Sequence, residues 1–440
     1  MSPLAPGLPD TARFRAYGPH QIDQIAQRYG LPADIVRAMR LVSLVLPFRV
    51  NEHVLSELID WERVPDDPMF QLTFPQIDML APDDLRRLDE LSGPSGNRAA
   101  LRAAVGEIRA SLNPHPSAQR ELNVPTVDSV EIPGIQHKYR ETVLYFPGQG
   151  QTCHAYCTYC FRWAQFVGDP DLRFAAPSPE GLVGYLRTKP DVSDVLVTGG
   201  DPLVMSTERL RAHIEPLLSV PTVRTIRLGT KSPAYWPQRF VTDQDADELL
   251  RLFERVVASG RTLAVMAHFS HPRELANEPA ARALARVRAT GALLYGQAPL
   301  IARVNDRAAV WAELWRAELS HGVVPYYLFV ERDTGPHEYF KVPLAEAVRI
   351  FQAAYRELPG LARTVRGPVM SATPGKVVVD GVEESDGGAV FRLRMLQARD
   401  PSLVGRPFHA EFSADAAWLD ELRPAPGTPA EFGALLGGRV

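Results

Sequence analysis

The chain has 440 residues, a formal net charge of −4 and a hydrophobic fraction of 45%. Its length suits two or three domains, or one large α/β barrel with extensions, and its composition is ordinary for a globular enzyme. The slight negative charge, without a basic stripe of interleaved aromatic residues, argues against a nucleic-acid partner. Residues 1–13 lack the apolar core of a signal peptide and no apolar run reaches membrane-spanning length, so we expect a cytoplasmic protein with no membrane partner.

The N-terminal part, residues 1–130, is predicted to be a mostly helical extension that ends in a linker. Helical apolar spacing covers residues 21–29, 32–46, 83–91 and 97–112. Pro82 stands ahead of two aspartates in the first turn of the third helix, which is a favourable helix start. Asn113-Pro114-His115-Pro116 should end the fourth helix, because a residue before proline avoids the helical conformation.

Beyond residue 141, short β-branched runs alternate with helical stretches. Predicted strands cover residues 142–146, 192–197, 225–228, 262–267, 293–297 and 326–330. Predicted helices cover residues 180–187, 206–218, 243–259, 280–289, 308–319 and 344–356. Strands that alternate with helices indicate a parallel sheet with right-handed crossovers, and therefore an α/β fold. Functional side chains should then follow the C-terminal ends of the strands.

The last part of the chain, residues 346–440, is predicted to form a small α+β cap. Its expected strands cover residues 376–380 and 389–395. The strand–helix core between the extension and the cap then spans residues 131–345. No internal repeat or low-complexity segment interrupts this division into three parts.

All cysteines of the protein lie in one stretch, Cys153-His154-Ala155-Tyr156-Cys157-Thr158-Tyr159-Cys160. Three thiolates spaced C-x3-C-x2-C can hold one iron–sulfur cluster, and they leave one iron of a four-iron cluster open to a non-protein ligand. A tetrahedral zinc site would need a fourth ligand, for which His154 is the local candidate. Disulfides would leave an odd cysteine. The spacing therefore favours an iron–sulfur cluster over both alternatives.

This cysteine pattern resembles the radical S-adenosylmethionine (SAM) superfamily. In that superfamily SAM chelates the open iron, and its reductive cleavage yields methionine and a 5′-deoxyadenosyl radical that abstracts hydrogen from the substrate. The resemblance implies a [4Fe-4S] cluster on Cys153, Cys157 and Cys160, SAM as cofactor, and an electron donor such as flavodoxin or ferredoxin. It also places Tyr159 near the adenine, although a plain packing role would suit that residue too.

The stretch Thr198-Gly199-Gly200-Asp201, with Pro202 after it, ends the second strand of the predicted core. Glycines let the backbone approach a ligand closely, because they carry no side chain. Alone this would be an ordinary turn. After a buried strand and downstream of the cysteines, it resembles the radical SAM motif that holds the amino group of SAM, so all four residues are candidates for SAM binding.

Several further stretches resemble lysine 2,3-aminomutase and its relatives. They are residues 194–203, 226–233, 237–239, 268–272, 296–297 and 304–306, with 46–48 and 67–71 upstream. The resemblance runs from about residue 40 to 380 and implies a partial (β/α)6 barrel of the radical SAM type. It also implies that Arg227, His268 and Gln297 line the SAM pocket. Without the resemblance, these would be a strand-end charge, a core histidine and an unremarkable glutamine.

The resemblance also suggests substrate contacts. Arg162, just after the third cysteine, matches a family arginine that binds the substrate carboxylate, and the planar guanidinium suits such a bidentate contact. The family places an acidic contact for a distal amine after the sixth strand. Here Glu331 or Asp333 could supply it, or both could form a solvated acidic turn.

The sequence departs from the family at the site of pyridoxal phosphate (PLP). Family aminomutases attach PLP to a lysine that ends a glycine run ahead of Pro-Val-Met. Here Arg366 stands at that position, in Arg366-Gly367-Pro368-Val369-Met370, and the glycine run is missing. Arginine stays protonated and cannot form the imine, so PLP is not expected. In another register Lys376 could supply the lysine, although it also matches a later Lys-Val strand of the family.

The sequence thus predicts a radical SAM enzyme that abstracts hydrogen from a small, anionic, amino-acid-like substrate without PLP. Arg162 would hold the substrate, with Lys138 and Arg366 as further candidates. Rearrangement, elimination, epimerisation and oxidation all remain open as outcomes. The alternatives are a PLP-dependent amino acid 2,3-aminomutase that uses Lys376, and a non-catalytic cluster-binding protein. The zinc-binding C-terminal cysteines of some relatives are absent, so any homo-oligomer would form without that metal.

Overall fold

The computed structural model describes residues 14–94, 96–113, 122–127, 130–168, 174–385 and 388–437. The expected lack of a signal-peptide core in residues 1–13 and the helix end predicted at Pro114-His115-Pro116 lie outside the described residues. Within the described ranges, no helix is both long enough and apolar enough to cross a membrane.

The N-terminal part is mostly helical, as predicted. Its helices are α1 (Ile22–Tyr29), α2 (Ala33–Val42), α3 (Pro68–Thr73), α4 (Pro82–Ser92) and α5 (Arg98–Ser111). Short antiparallel pairs join β1 (Ala16–Tyr17) to β2 (Val50–Asn51) and β3 (Thr126–Val127) to β4 (Val130–Glu131). The sequence prediction missed α3, although Asp67 gives a recognisable start: its carboxylate accepts hydrogen bonds from the amides of Met69 and Phe70, and proline fills the first position.

One large sheet organises the rest of the molecule. Its strands, in their order across the sheet, are β5 (Ile135–Tyr139), β6 (Thr142–Tyr145), β7 (Asp194–Val197), β8 (Thr225–Thr230), β9 (Thr262–His268), β10 (Leu293–Leu300), β11 (Val324–Val330), β12 (Arg366–Ser371), β13 (Gly375–Ser385), β14 (Gly388–Ala398) and β15 (Pro407–Glu411). Strands β6 to β12 are parallel, while β5 and β13 to β15 are antiparallel at the two ends. Six of these strands were predicted in the core and two in the cap.

Helices fill the crossovers between the parallel strands. They are α6 (Glu180–Arg187), α7 (Thr207–Ile214), α8 (Ala246–Ala258), α9 (Glu278–Ala289), α10 (Ala308–Ser320) and α11 (Leu344–Arg356). The predicted α/β class is therefore confirmed. In the described residues β5 and β15 each pair with one neighbour, so backbone pairing does not close the sheet into a barrel. The finer prediction of a partial (β/α)6 barrel of the radical SAM type stays a prediction.

The two ends of the parallel region nevertheless approach each other through side chains. Lys138 on β5 donates a hydrogen bond to the carbonyl oxygen of Ala372, the residue after β12. Arg399, just after β14, donates to the carbonyl oxygens of Thr373 and Leu122. The sheet therefore curls, and one of its faces becomes an interior.

Burial alternates along the strands and identifies that interior face. On β8, Ile226 and Leu228 are buried in the main core, which also contains helix residues such as Leu249. Successive side chains of a strand point to opposite faces. Arg227, half-buried between them, therefore points away from the helices, and it pairs there with Asp194 of β7. We call this second surface the inner face of the sheet.

The main hydrophobic core is continuous from Tyr17 in the N-terminal part to Val365 ahead of β12. A second core, from Val330 to Leu436, packs α11 against β12 to β15 and the C-terminal segment. The division into residues 1–130, 131–345 and 346–440 stays a prediction, because hydrophobic clusters do not fix where one domain ends.

Candidate cluster and cofactor site

The cysteine loop follows β6 and is held in place by the N-terminal part of the chain. The amide of Tyr156 donates to the carbonyl oxygen of Arg49 at 2.8 Å. The amide of Thr158 donates to the carbonyl oxygen of Leu72 at 2.9 Å, and its hydroxyl donates to that of Gln71 at 2.8 Å. The helical extension therefore fixes the backbone between the cysteines.

The three thiols are free and half-buried. Burial raises the pKa of Cys153, Cys157 and Cys160, the last to about 12, and charge on a neighbouring cysteine contributes to the shift of Cys153 and of Cys160. Buried thiols release their protons when iron binds, because the thiolate is the ligand. Among the described residues, no three His, Cys, Asp or Glu side chains are grouped to hold a single metal ion.

The side chain of His154 contacts Ser232 and aromatic rings. Its Nδ1 lies 3.1 Å from the hydroxyl of Ser232, and its ring packs edge-on against Phe14 at 5.2 Å between centroids. The ring is buried beside Trp236. These contacts favour a packing role over the zinc-ligand role that the sequence left open.

The glycine motif lies directly against the cysteine loop. Gly199 has a φ of +147°, which favours glycine. A Cβ atom at Gly200 would overlap the backbone of Thr152, the residue before the first cysteine. The amide of Asp201 donates to the carbonyl oxygen of Thr152 at 2.7 Å. Only a residue without a side chain fits this contact, so the two glycines set the position of the loop. Thr198 precedes them at the end of β7.

Asp201 is buried, and protein donors occupy its carboxylate. It accepts hydrogen bonds from the Thr230 hydroxyl at 2.8 Å, the Lys231 amide at 2.8 Å and the Ser232 hydroxyl at 3.2 Å. It also accepts from the Leu203 amide at 2.9 Å. These bonds tie the end of β8 to the glycine motif. Its predicted contact with SAM stays a prediction, and the structure shows a positioning use for the carboxylate.

Tyr159, His268 and Gln297 come together at the C-terminal ends of the strands. The Tyr159 hydroxyl lies 3.2 Å from His268 Nδ1 and 3.4 Å from the Ser270 hydroxyl. Gln297 on β10 is the direct neighbour of His268 on β9. Burial lowers the pKa of His268 to about 3, so the ring is neutral. The structure thus assembles three of the predicted SAM contacts beside the cysteine loop.

Arg227 is not part of this group. Its Nε donates to Asp194 Oδ1 at 2.9 Å, and Asp194 is the first residue of β7. The guanidinium therefore points toward the beginning of the strands, away from the edge that carries the cysteines. The predicted contact of Arg227 with SAM stays a prediction without support from its position.

Lys231 is the cation that the sequence interpretation missed. It follows β8, and its Nζ lies 2.6 Å from Glu274 Oε1 and 3.1 Å from the His268 carbonyl oxygen. Its charge acts on the Cys157 thiol, and the Tyr235 hydroxyl lies 3.3 Å from that sulfur. Two features of the sequence could have identified Lys231: it follows a predicted strand, and it lies within residues 226–233, which resemble the family.

Arg162 has an unsatisfied donor at the mouth of the site. Its guanidinium carbon lies 4.5 Å from the ring centroid of Phe146 and 5.1 Å from that of Phe161. Its Nη1 is buried and finds no acceptor among the described residues. Burial lowers its pKa to about 10, which leaves it charged at neutral pH. A buried cation with an unused N–H group fits an anionic ligand.

Glu331 follows β11 and is 3% exposed. Its Oε2 lies 2.6 Å from His337 Nδ1, while Oε1 is buried without a hydrogen-bond partner in the described part. Burial raises the pKa of Glu331 to about 7, and the Glu331 carboxylate raises the pKa of His337 despite the opposing effect of burial. Asp333 is half-buried in the same loop. Of the two acids considered from the sequence, Glu331 has the unpaired inward atom.

Arg366 and Lys376 meet on the inner face. The guanidinium carbon of Arg366 lies 4.4 Å from the Tyr326 ring centroid and 4.3 Å from that of Tyr327. Lys376 Nζ lies 5.1 Å from the Tyr327 centroid and donates to Gln397 Oε1 at 2.6 Å. Burial, helped by the positive charges of Arg227 and Arg366, lowers the pKa of Lys376 to about 7.

Comparison with known proteins adds the following. No protein-family model matches the chain. It is 31% identical over 391 residues to the "Putative L-lysine 2,3-aminomutase" of Aquifex aeolicus, covering 89% of this chain and 91% of that protein. It is 30% identical over 221 residues to the L-lysine 2,3-aminomutases of Acetoanaerobium sticklandii and Clostridium subterminale, in each case 50% of both proteins. A solved structure of Streptococcus suis SuiB bound to precursor peptide SuiA matches 61% of the chain at 13% identity and a TM-score of 0.35, too low to bear on the fold.

Proposed function

Because this chain belongs to the lysine 2,3-aminomutase family of radical SAM enzymes, we propose that it cleaves SAM reductively and abstracts hydrogen from a small anionic substrate without PLP. Because the relatives are enzymes, the alternative of a non-catalytic cluster-binding protein is excluded. The observation that carries the proposal is the cysteine loop: three half-buried thiols in eight residues, held from one side by the N-terminal part and from the other by Gly199 and Gly200.

Cys153, Cys157 and Cys160 would hold three irons of a [4Fe-4S] cluster, and the cluster with SAM would supply the carbon radical. The residues of the chain orient that chemistry and keep water out. Thr198 and the glycines offer close backbone approach, and Tyr159, His268 and Gln297 form the adjoining wall. An electron donor such as flavodoxin or ferredoxin would reduce the site.

Arg162 would bind the carboxylate of the substrate, because its buried Nη1 has no acceptor within the described ranges. Glu331 would face a polar group of the substrate with its unpaired Oε1. Its pKa of about 7 means that it can meet either an amine, as a carboxylate, or an acceptor, as a neutral acid. The relatives are named as aminomutases of an amino acid, which supports an amino acid as substrate. The buried Nη1 of Arg162 supports an anionic group at one end of that substrate.

The test is anaerobic reconstitution with iron and sulfide. The reconstituted protein should show iron–sulfur absorbance and should yield 5′-deoxyadenosine from SAM with dithionite. Cys157→Ala should lose both, because the cluster loses one of its three protein ligands. Protein that holds zinc in this loop, or an alanine variant that still turns over, would refute the proposal.

A second candidate is a PLP-dependent amino acid 2,3-aminomutase that uses Lys376. One observation favours it: the pKa of Lys376 is lowered to about 7, and a neutral amine is what imine formation requires. Its test is incubation with PLP, borohydride reduction and mass spectrometry of the peptide that contains Lys376. A PLP adduct there, absent in Lys376→Ala, would replace the PLP-free proposal.

A further inference from the structure

The inner face carries basic side chains that lack acidic partners. The guanidinium of Arg366 lies against the rings of Tyr326 and Tyr327. No hydrogen-bond acceptor or carboxylate for its guanidinium is found in the residues that the structure describes. Stacking on aromatic rings is favourable for a guanidinium, but it leaves the in-plane N–H groups available.

Lys376 lies beside it, with a neutral partner. Its Nζ lies 5.4 Å from the Tyr139 centroid and 5.1 Å from the Tyr327 centroid, and its hydrogen bond goes to the amide oxygen of Gln397. Arg366 is close enough that its charge helps to lower the pKa of Lys376. Two neighbouring cations with no carboxylate between them repel each other, at a cost that burial increases.

Asp194, the acid whose charge acts on Lys376, is already paired with Arg227. Asp194 accepts from Arg227 Nε at 2.9 Å and pairs with the same guanidinium through its second oxygen. Lys138 adds a further basic group: it donates to the carbonyl oxygen of Ala372, and burial, with smaller effects of the charges of Arg399, Arg332 and Lys376, lowers its pKa to about 7. Positive charge on the inner face therefore exceeds what the nearby acids neutralise.

These cations continue toward the cysteine loop. The guanidinium carbons of Arg332 and Arg162 lie 5.4 Å and 5.1 Å from the centroid of the same ring, Phe161, and Lys138 is close enough to Arg332 for their charges to interact. Arg332 also lies near Glu331 and Asp333, which partly balance it. A row of basic groups thus connects Arg162 to the β12–β13 region.

We propose that Arg366, Lys376 and Lys138 form a second anion site, and that the substrate is a dianion with one anionic group at Arg162 and another here. The inference rests on the proposed function, since Arg162 holds the first group there. The shared chemistry is a carboxylate or phosphate oxyanion, so the substrate class is a dicarboxylate or a phosphorylated carboxylic acid. A bound oxyanion would give the N–H groups of Arg366 and the ammonium of Lys376 the charged acceptor that they lack.

The experiment is anaerobic titration calorimetry on cluster-loaded protein with SAM present. Each α,ω-dicarboxylate from succinate to suberate is compared with the monocarboxylate of the same chain length, and 3-phosphonopropionate is compared with succinate. Chain length is varied because the fitting dianion must span both sites. The best dianion should bind about 10- to 100-fold more tightly than its monocarboxylate, the range expected for charge-assisted hydrogen bonds. The phosphonate arm distinguishes phosphate from carboxylate as the second group.

Variants locate the second site. Arg366→Gln and Lys376→Gln should each reduce the preference for dianions about tenfold or more and leave monocarboxylate binding unchanged. Arg366→Lys should keep part of the preference, and it serves if the glutamine variant does not fold. Arg363→Gln is the matched control, because Arg363 is an exposed arginine just ahead of β12, and it should change neither affinity.

Equal binding of dianions and monocarboxylates across the series would overturn the inference, as would a preference that survives in both glutamine variants. PLP linked to Lys376 would also overturn it. SAM cleavage to 5′-deoxyadenosine, measured in the same samples, separates the two claims. Wild-type protein that fails to cleave SAM counts against the proposed function, whereas intact cleavage without a preference for dianions counts against the second anion site alone.

Discussion

The cysteine-loop region and the β12–β13 region differ in the partners of their charged side chains. Near the cysteines, Lys231 has an acidic partner in Glu274 at 2.6 Å, and the Asp201 carboxylate is surrounded by donors. On β12 and β13, Arg366 has aromatic rings for partners and Lys376 has a neutral amide. In the first region Lys231 and Asp201 have protein partners of opposite charge or polarity, whereas in the second Arg366 and Lys376 are paired with aromatic rings and a neutral amide.

This difference follows the family pattern in the sequence. The region near the cysteines contains the stretches that resemble the family, and the β12–β13 region contains Arg366, which the sequence interpretation aligns with the PLP lysine of the family. The stretches that resemble the family therefore lie where protein groups already hold the backbone and the charged side chains in place. The part that differs from relatives is where an incoming ligand would supply the missing charge.

Gly200→Ala should have the largest effect. The added methyl group would overlap the Thr152 backbone, displace the cysteine loop and reduce cluster content and 5′-deoxyadenosine formation by about 100-fold or more. Iron analysis and a SAM-cleavage assay measure this. Gly184→Ala is the control: its Cβ would meet nothing within 4 Å in α6, so that variant should be neutral or more stable by up to about 1 kcal/mol. Normal iron content in Gly200→Ala would contradict the packing argument.

Lys231→Met should lower the free energy of unfolding by about 3–5 kcal/mol, because it leaves the buried Glu274 carboxylate without its cation. Urea unfolding at pH 7 measures the change. Lys189→Met removes an exposed lysine and should stay within about 0.5 kcal/mol of wild type. A small loss in Lys231→Met would mean that the region near the cysteines is not held by this pair.

Glu331 should make stability fall as pH rises from about 5 to about 7, because its pKa is raised to about 7 and the folded state therefore binds more protons than the unfolded state in this window. The raised pKa of His337 should extend the fall above pH 6.5. Glu331→Gln should remove about 1–3 kcal/mol of this dependence. Urea unfolding at several pH values measures it, with the exposed Glu338→Gln as control. An unchanged slope in Glu331→Gln would contradict the assignment.

Lys376→Met should have the smallest effect and the opposite sign to Lys231→Met. Removing a half-buried lysine whose pKa is lowered to about 7, and whose hydrogen bond goes to a neutral amide, should raise the free energy of unfolding at pH 7 by about 1 kcal/mol. The same urea titration measures it, again with Lys189→Met as reference. If both lysine substitutions destabilise equally, the contrast between the two regions does not hold.

Sequence reasoning was most successful where structure is local. The alternation of strands and helices predicted the parallel region, and the helix over 344–356 has the predicted bounds. The sequence prediction missed three strands of the large sheet: β5, β12 and β15. β12 is short and contains Gly367-Pro368, residues that usually argue against a central strand, yet β11 and β13 pair with it on both sides. Because of this glycine and proline, the sequence did not predict the strand that contains Arg366.

In the candidate site, too, the sequence predicted local features better than contacts between distant residues. The spacing of the cysteines and the glycine motif could be read directly, because both act through neighbouring backbone. Arg227 was expected at the SAM pocket, but the structure pairs it with Asp194 on the adjacent strand. Lys231 was passed over, although it is the cation beside Cys157. Nothing within a strand reveals which acid a basic residue will meet.

The sequence by itself determined the chemistry that three closely spaced thiols can support and the α/β class that carries them. Both depend on local features, the spacing of ligands along the chain and the period of apolar residues. Only the tertiary structure decided which charges are neutralised and which are left for a ligand. Lys231 and Glu274, or Arg366 and Lys376, become neighbours through pairing and curling of the sheet, and Coulomb energy depends on distance in space rather than along the chain.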